Sequence, residues 1–258
     1  LVMRLGHRVF TVLGDEQNIK ITYPIDMHLA DKLFQLRQEL AGALDDGSAQ
    51  ILKGKTVAVV GGTDGIGQAL CQQLEERGST VFALSRRRDP SVDVADLLAV
   101  EKGLAQVAEQ AKQIDYVVNC AGELSRKNVE FMSAEQWRDI WSVNMDGCFN
   151  VAKAAIPYLR ETKGGLLFVG SSSYTRGRGG YAAYSSSKAA LVNFVQALAE
   201  ELSQDHIQVN VINPGRVKTS MRLRNFGQEP PESLLDPDYV ASEMVKAMLM
   251  DTSGSVFE

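Results

Sequence analysis

The sequence is poor in the residues that build disulfide frameworks and metal centres. Its 258 residues include three cysteines, Cys71, Cys120 and Cys148, which are scattered without a Cys-x-x-Cys spacing, and only three histidines. This pattern predicts reduced, mostly buried thiols in a cytoplasmic protein, and it predicts no metal site.

Long apolar runs and an excess of positive charge are also missing. No run approaches the ~20 residues that cross a bilayer, and no signal-peptide pattern opens the chain, so we expect no membrane partner. Lysine and arginine number 27 against 32 aspartates and glutamates, for a net charge of −5. A nucleic-acid binder is normally basic, so no nucleic-acid partner is expected. The remaining composition, 45% hydrophobic and 23% charged, is ordinary for a globular protein.

From residue 54 onward, short apolar runs alternate with longer helical patterns, as in βαβ units with a parallel sheet. We predict an α/β fold, a doubly wound Rossmann-type parallel sheet of about seven strands with helices on both faces. Ser133 and Gln136 form a capping pattern that predicts the start of one long or bent helix. The clearest strand patterns lie at residues 56–60, 79–85, 115–122, 164–173, 208–215 and 254–258.

The first predicted strand leads directly into a glycine loop over residues 61–67, GGTDGIG. Glycines let a pyrophosphate approach the main chain, and amides at a helix N-terminus attract phosphate. Glycine patterns also occur in ordinary turns, but this one stands between a buried strand and a helix. We therefore predict a dinucleotide site with contacts from Gly61, Thr63, Asp64, Gly65, Ile66 and Gly67.

The end of the second predicted strand indicates which dinucleotide binds. A carboxylate at this place normally binds the ribose 2′-OH of NAD, whereas this chain has the run Ser85-Arg86-Arg87-Arg88. Guanidinium groups suit phosphate geometry, so the run favours NADP(H), bound through Ser85, Arg86 and Arg87; a solvated turn is the alternative. Asp64 is an unfavourable neighbour for the 2′-phosphate unless it points away or pairs with an arginine.

Further motifs follow in a fixed order over residues 54–258. Ser171 precedes Tyr184 by thirteen residues, and Lys188 follows Tyr184 by four, which places the tyrosine and the lysine on one face of a helix. A lone Tyr-x-x-x-Lys pattern is also common on solvated helices. The accompanying motifs are Asp93-Val94, Asn119-Cys120-Ala121-Gly122, Asn144 and Asn213-Pro214-Gly215. With this joint spacing, residues 54–258 resemble the short-chain dehydrogenase/reductase family.

The resemblance implies a mechanism built on four residues. Tyr184 would donate its phenolic proton to the substrate oxygen as hydride arrives from the nicotinamide. Lys188 would favour the phenolate and hold the nicotinamide ribose hydroxyls. Ser171 would orient the carbonyl, although two more serines follow it directly. Asn144 would interrupt its helix and hold a water that relays protons to Lys188; an ordinary polar helix residue is the alternative.

The resemblance also implies more cofactor contacts, and a third strand before Asp93. Two positions depart from the usual pattern: Val60 stands where threonine is common, and Cys120 where asparagine is common. Both lie beside main-chain contacts, so we expect little functional loss. The further cofactor contacts implied are Asp93, Val94, Asn119, Ala121, Gly122, Tyr184, Lys188, Pro214, Gly215, Val217 and Thr219.

The first 52 residues do not follow this rhythm. Residues 14–36 resemble the C-terminal edge of the sugar-phosphate cytidylyltransferase family, with an Asn-x-Lys-x-Thr strand before a helix start at Asp26. The glycine-rich nucleotide loop of that family is absent, and an unrelated helical appendage is the alternative. We predict residues 1–52 to be the C-terminal remnant of a cytidylyltransferase-like domain plus a linker, and residues 53–258 to be the short-chain dehydrogenase/reductase domain.

Together the two resemblances point to bifunctional enzymes of bacterial capsule synthesis. They imply NADPH-dependent reduction of D-ribulose 5-phosphate to D-ribitol 5-phosphate, which CTP then activates to CDP-ribitol. A small phosphorylated ketose needs cations around its phosphate. The predicted substrate contacts are Ser171, Tyr184, Arg176, Arg178 and Arg222, with Arg216, Lys218 and Arg224 as further candidate cations.

Other functions remain open at this point. The chain could reduce another carbonyl, such as a ketoacyl thioester or a free sugar, or it could be a non-catalytic cofactor-binding scaffold. The family resemblance also implies a homodimer or homotetramer, formed through the helices that start near Ser133 and Tyr181.

Overall fold

The computed structural model describes residues 20–23, 26–27, 51–88 and 91–258. The chain divides into two compact units, residues 1–43 and residues 44–258. In the first unit the Asp26 carboxylate accepts hydrogen bonds from the backbone N–H groups of Thr22 and Tyr23, both at 2.7 Å, and these bonds lower the pKa of Asp26. The rest of the predicted strand, helix and linker before residue 51 lies outside the described residues.

The second unit is built on a parallel sheet. Within the described residues six strands pair in the order β2-β1-β3-β4-β5-β6, and every pairing is parallel. The strands are Thr56–Val60 (β1), Thr80–Leu84 (β2), Tyr116–Asn119 (β3), Gly165–Val169 (β4), Gln208–Ile212 (β5) and Val256–Phe257 (β6). This order confirms the predicted doubly wound α/β fold.

The sheet has six strands among the described residues where about seven were predicted. The strand expected before Asp93 does not form in the described part of that segment, where Ser91 and Val92 are irregular. The reason is local: the Val92 N–H donates to the Ser85 carbonyl at 3.0 Å, which closes a turn directly after β2. Pro90 in this stretch of sequence has no N–H to offer a neighbouring strand.

Helices follow the strands as the periodicity predicted. The Ser133 hydroxyl accepts from the Gln136 N–H at 3.1 Å while the Gln136 side chain accepts from the Ser133 N–H, so the predicted capping box is confirmed. The long or bent helix is confirmed as α3 and α4 joined by a π-helical turn, Ser142–Asp146. The helices are Gly65–Glu76 (α1), Leu97–Ala111 (α2), Ala134–Trp141 (α3), Gly147–Thr162 (α4), Ala182–Glu201 (α5), Ser220–Phe226 (α6) and Pro237–Leu249 (α7).

Apolar side chains cover both faces of the sheet. Ala58 and Val60 of β1 pack with residues of α2, α4 and α5, whereas Val57 and Val59 pack with α1 and α7. Leu52, which precedes β1, is fully buried in the second of these clusters. Because both faces are covered, the central strands β1 and β4 are buried throughout, whereas β2 at the sheet edge is only partly buried. The carboxyl ends of the strands form the accessible edge.

The described part of the chain lacks a membrane-crossing helix and a cluster of metal-ligating side chains. None of its helices is both long and apolar enough to cross a membrane. It also contains no group of three or more histidine, cysteine, aspartate or glutamate side chains that could hold a metal ion.

Candidate active site

A cleft runs along the carboxyl edge of the sheet, where ligands bind in open α/β folds. Most of the predicted site residues line it. Asn119 and Asn144 are instead buried beside it, Asp93 lines a neighbouring cavity, and Arg176 is not among the described residues that line the cleft. Those that line it are Gly61, Thr63, Asp64, Gly65, Ile66, Gly67, Ser85, Arg86, Arg87, Val94, Ala121, Gly122, Ser171, Arg178, Tyr184, Lys188, Pro214, Gly215, Val217, Thr219 and Arg222.

Two glycines of the loop between β1 and α1 have no room for a side chain. Gly61 has a φ of +79°, and a Cβ there would lie 2.7 Å from the Ala121 backbone nitrogen. A Cβ on Gly67 would collide with the Gly61 carbonyl oxygen. Asp64, the residue before α1, makes no side-chain capping bond to the first turn of the helix. The loop therefore offers close main-chain approach and uncapped amides, which suits a pyrophosphate.

The arginine turn after β2 lies at the same end of the cleft. Arg87 Nη1 is 3.6 Å from Asp64 Oδ2, and Arg86 Nη1 is 3.9 Å from Asp93 Oδ2. The Ser220 hydroxyl donates to the same Asp64 oxygen at 2.5 Å. Asp64 thus pairs with an arginine, which is the arrangement that makes it compatible with a nearby phosphate. Both arginines stay more than half exposed: the exposed fraction of the side chain is 60% for Arg86 and 69% for Arg87.

The turn after β3 is fixed by Asn119. Its side-chain oxygen accepts from the Ala121 N–H at 3.1 Å, and its amide donates to Cys148 Sγ at 3.4 Å. Asn119 therefore contributes to the cleft indirectly. Its side chain fixes the backbone of the turn at Ala121 and Gly122, and these two residues line the cleft. Cys120 itself lines the cleft, and burial raises the pKa of its thiol.

Tyr184 and Lys188 share one face of α5, as their spacing predicted. Lys188 Nζ is 5.8 Å from the centroid of the Tyr184 ring and donates to the Val169 carbonyl oxygen at 2.8 Å. Lys188 is only 3% exposed, so its ammonium is held at the base of the cleft. Ser171, which lines the same cleft, is held by a bond from its N–H to the Asn213 side chain at 2.9 Å.

Asn144 lies in the π-helical turn and is fully buried. Its oxygen accepts from the Glu123 N–H at 2.8 Å, and its amide donates to the Glu123 carbonyl and to Ser187 Oγ, both at 3.0 Å. A Cβ built on Gly122 would lie 3.6 Å from both Asn144 Oδ1 and Lys188 Nζ. The Asn144 oxygen and the Lys188 ammonium thus lie on either side of the same point beside Gly122. The π-helical turn, which replaces regular helix at this position, allows the Asn144 side chain to point into the protein.

The far end of the cleft contains a cluster that sequence reasoning missed. The Arg222 guanidinium lies 4.0 Å from the centroid of the Phe226 ring, and that ring stacks on Tyr181 at 5.7 Å. Arg222 also forms a two-pronged ion pair with Glu229, at 2.6 and 2.8 Å. Tyr181 and Tyr184 are 6.4 Å apart between ring centroids. The only available sequence signal was the i, i+4 spacing of Arg222 and Phe226, which is too common to single out.

The match to known proteins agrees with this geometry. The sequence fits the short chain dehydrogenase family over residues 55–229. The chain therefore belongs to the short-chain dehydrogenase/reductase family and is a nicotinamide-dependent oxidoreductase, as its motifs implied.

Individual relatives extend the comparison. Over 253 residues, which are 97% of this chain and 53% of the relative, the chain is 40% identical to the bifunctional ribulose 5-phosphate reductase/CDP-ribitol pyrophosphorylase Bcs1 of Haemophilus influenzae. The chain thus spans about half the length of this relative. It is 29% identical over 216 residues to the 3-oxoacyl-(acyl-carrier-protein) reductase FabG of Vibrio cholerae, covering 74% of this chain and 88% of that protein.

Solved structures give the same fold. A short chain dehydrogenase from Salmonella enterica serovar Typhi superimposes with a TM-score of 0.75 and 26% identity, covering 80% of this chain and 96% of the other. The aldohexose dehydrogenase of Thermoplasma acidophilum superimposes with a TM-score of 0.73 at 23% identity, over 80% of this chain and 92% of its own, and this likeness concerns the fold alone.

Proposed function

We propose that the chain reduces D-ribulose 5-phosphate to D-ribitol 5-phosphate with NADPH, as a cytoplasmic step towards CDP-ribitol for capsule synthesis. The observation that carries the chemistry is the Tyr184–Lys188 pair on α5, which faces the cleft beside Ser171. The choice of substrate is supported by the 40% identity to an enzyme whose name states this reduction, over nearly the whole of the present chain.

In this proposal each side chain has a defined task. The Tyr184 hydroxyl donates a proton to the substrate oxygen, and the neighbouring Lys188 ammonium stabilises the phenolate that remains. Ser171 donates a hydrogen bond to the same substrate oxygen and orients the carbonyl. Asn144 would hold a water that relays protons to Lys188, since its oxygen and the Lys188 ammonium flank the same point beside Gly122.

The residues around the cleft fit a nicotinamide dinucleotide. The side-chain-free approach at Gly61 and Gly67, together with the uncapped start of α1, suits the pyrophosphate. Arg86 and Arg87 are exposed cations at the adenosine end and would hold a 2′-phosphate, which favours NADP(H) over NAD(H). When bound, the reduced nicotinamide supplies the hydride that the carbonyl carbon accepts.

One assay tests substrate and cofactor together. The protein is mixed with D-ribulose 5-phosphate and either NADPH or NADH, and cofactor oxidation is followed by absorbance. We expect turnover that is faster with NADPH and that Tyr184→Phe abolishes, while NADPH binding by that variant persists. Tyr239→Phe, a change at an exposed tyrosine of α7, serves as the matched control and keeps full activity. Wild-type protein that binds NADPH but consumes no ketose would support the scaffold alternative instead.

We further propose that the protein forms a homodimer or homotetramer through the surface of α3, α4 and α5. Phe149 on α4 is 49% exposed and Trp137 on α3 is 38% exposed, and an assembly that covers them would remove apolar surface from water. Light scattering across a concentration series measures the mass, and Phe149→Glu is expected to shift it towards the monomer. The proposal also includes the transferase remnant that the sequence predicts ahead of the reductase domain.

A further inference from the structure

The arginines of the cleft fall into two groups according to their partners. Among the described residues, six arginines line the cleft, and four of them lie within 4.0 Å of a carboxylate oxygen. Arg178 and Arg224 also line it, yet neither has a carboxylate at this distance within the described part of the chain. The paired group is Arg86 with Asp93, Arg87 with Asp64, and Arg216 and Arg222 with Glu229.

Arg222 is the cation nearest the aromatic cluster, but its hydrogen-bonding edge is already used. Its Nε and Nη2 donate to the two oxygens of Glu229 at 2.6 and 2.8 Å, and both side chains are less than one-fifth exposed. Its flat face covers the Phe226 ring. A phosphate could bind Arg222 only by displacing Glu229 from two charge-assisted hydrogen bonds and leaving that carboxylate without its partner. Arg222 therefore stabilises the end of α6 through its ion pair with Glu229, and it is poorly placed to hold substrate.

Arg224 lies on the face of α6 that looks into the cleft. Met221, three residues earlier on the same face, has its terminal methyl 4.0 Å from the position of a Cβ on Gly122, which in turn adjoins Lys188. The helix starts at the glycine loop, where Ser220 bonds to Asp64, and it ends at Phe226 against Tyr181. Arg224 thus lines the cleft from a helix that runs between the glycine loop and the aromatic cluster.

Arg178 lines the cleft from a different element, the turn before α5. Its carbonyl oxygen accepts from the Tyr181 N–H at 3.0 Å, in the turn that leads into α5, and Tyr184 follows one helical turn later. Arg178, Tyr181 and Tyr184 therefore succeed one another along the substrate wall. The phosphate of a pentulose 5-phosphate stands at the far end of the carbon chain from its carbonyl, so a ketone at Tyr184 leaves its phosphate to be held at another part of the cleft, and this turn offers a cation there.

We propose that Arg178 and Arg224, from two elements that line the cleft, form the subsite for the phosphate monoester of the substrate, while Arg222 is held by Glu229 and stabilises the end of α6. The proposal rests on the proposed function, because it names the residues that make this site select a phosphorylated ketose. Two unpaired guanidinium groups facing one dianion supply charge-assisted, directional hydrogen bonds.

The test compares a phosphorylated and an unphosphorylated form of the same ketose. Arg178→Ala and Arg224→Ala are each expected to lower kcat/KM for D-ribulose 5-phosphate by about 10- to 100-fold, as for the loss of a hydrogen bond to a charged group, and to leave the much smaller value for D-ribulose unchanged. Lys102→Ala, at an exposed cation of α2 outside the cleft and outside the proposed oligomer surface, is the matched control and changes neither value. Arg222→Ala loosens the end of α6 and lowers both values alike.

Binding measurements separate this subsite from the proposed reaction. Calorimetry of the NADPH-loaded protein compares D-ribitol 5-phosphate with ribitol, and the preference for the phosphorylated polyol is expected to fall about 10-fold or more in the Arg178 and Arg224 variants. If wild type shows this preference but turns over no ribulose 5-phosphate, the subsite stands and the proposed function fails. If wild type turns over the ketose and the two variants match it, or lose both ketoses equally, the function stands and the subsite is overturned. No phosphate-dependent binding in wild type overturns the subsite as well.

Discussion

Asn144 connects three parts of the structure through one side chain. Its amide and carbonyl groups bond to both main-chain groups of Glu123 and to the Ser187 hydroxyl, which in turn donates to the Tyr184 carbonyl at 2.8 Å. The loop after β3, the π turn and α5 therefore share a junction at the buried Asn144 side chain. Buried polar groups that lose a partner keep the full penalty of desolvation, so the junction is sensitive to a single substitution.

Asn144→Ala should therefore lower stability as well as turnover. We expect the free energy of unfolding to fall by about 1–3 kcal/mol, because the part-buried N–H and carbonyl of Glu123 lose their partner. Asn144→Asp keeps the acceptor but cannot donate to the Glu123 carbonyl. Its free energy of unfolding should therefore lie between those of wild type and Asn144→Ala. Urea denaturation measures the effect. Asn128→Ala, at an exposed asparagine, should change the unfolding midpoint little; a similar loss there, or none at residue 144, contradicts the interpretation.

The cysteines lead to a prediction about reactivity. Burial raises the pKa of Cys71 and of Cys148 to about 11, and it raises that of Cys120 too. Because the thiolate is the reactive form, alkylation of the native protein should be very slow near neutral pH and should accelerate as the pH rises towards these values. Mass spectrometry after iodoacetamide treatment counts the labels. Denatured protein, the control, should take up three; rapid labelling of the folded protein at neutral pH would refute the assignment.

At the scale of elements, the glycine loop depends on the absence of side chains at particular places. Gly67→Ala brings a methyl group against the Gly61 carbonyl, so the loop must shift away from α1. We expect overpacking to cost about 1–3 kcal/mol of stability and NADPH affinity to fall by about 10-fold or more. Fluorescence titration with NADPH measures the affinity. Gly177→Ala is the matched control because a Cβ there meets no atom within 4 Å, and it should bind NADPH normally.

The stability that the Arg222–Glu229 ion pair gives to the end of α6 should depend on pH. Hydrogen bonds from Arg222 hold the pKa of Glu229 below its usual range, so the ionised pair stabilises the fold above the usual glutamate pKa of about 4.3. This contribution is lost as the pH falls through the lowered pKa, where folded and unfolded forms both become protonated. Wild type should therefore be more stable than Glu229→Gln at neutral pH, and the difference should vanish in acid. Denaturant titrations of both proteins at several pH values test this; a difference that persists at the lowest pH would exclude the linkage.

Local signals explain which elements could be predicted from sequence. The capping box of Ser133 and Gln136 and the helical spacing of Tyr184 and Lys188 depend on residues a few positions apart, so periodicity and spacing were sufficient. The strand expected before Asp93 followed from resemblance alone, and a turn bond to Ser85 takes its place in the described segment. The pairing of Arg222 with Glu229 depends on how α6 and the loop after it meet, which no sequence period encodes.

For the molecule as a whole, the question is where the reductase domain begins. The sequence placed the boundary between residues 52 and 53, and this remains a prediction. Leu52, however, is fully buried in the cluster that joins β1 to α1 and α7. Its carbonyl accepts from the Ser79 hydroxyl at 2.9 Å and from the Lys55 N–H at 3.0 Å. We therefore infer that the stable reductase domain includes residues before 53, in agreement with a compact unit of residues 44–258.

Two fragments and one substitution test this inference. A fragment of residues 44–258 should keep the free energy of unfolding of the reductase part of the full chain. In a fragment of residues 53–258 this free energy should fall by about 2–5 kcal/mol, the usual effect of removing a buried leucine. Leu52→Ala in the full chain, which keeps the backbone carbonyl for Ser79, should show most but not all of this loss. Urea denaturation gives the three values. Fragments with equal midpoints would mean that Leu52 contributes no packing energy and that the domain begins at residue 53, as the sequence alone suggested.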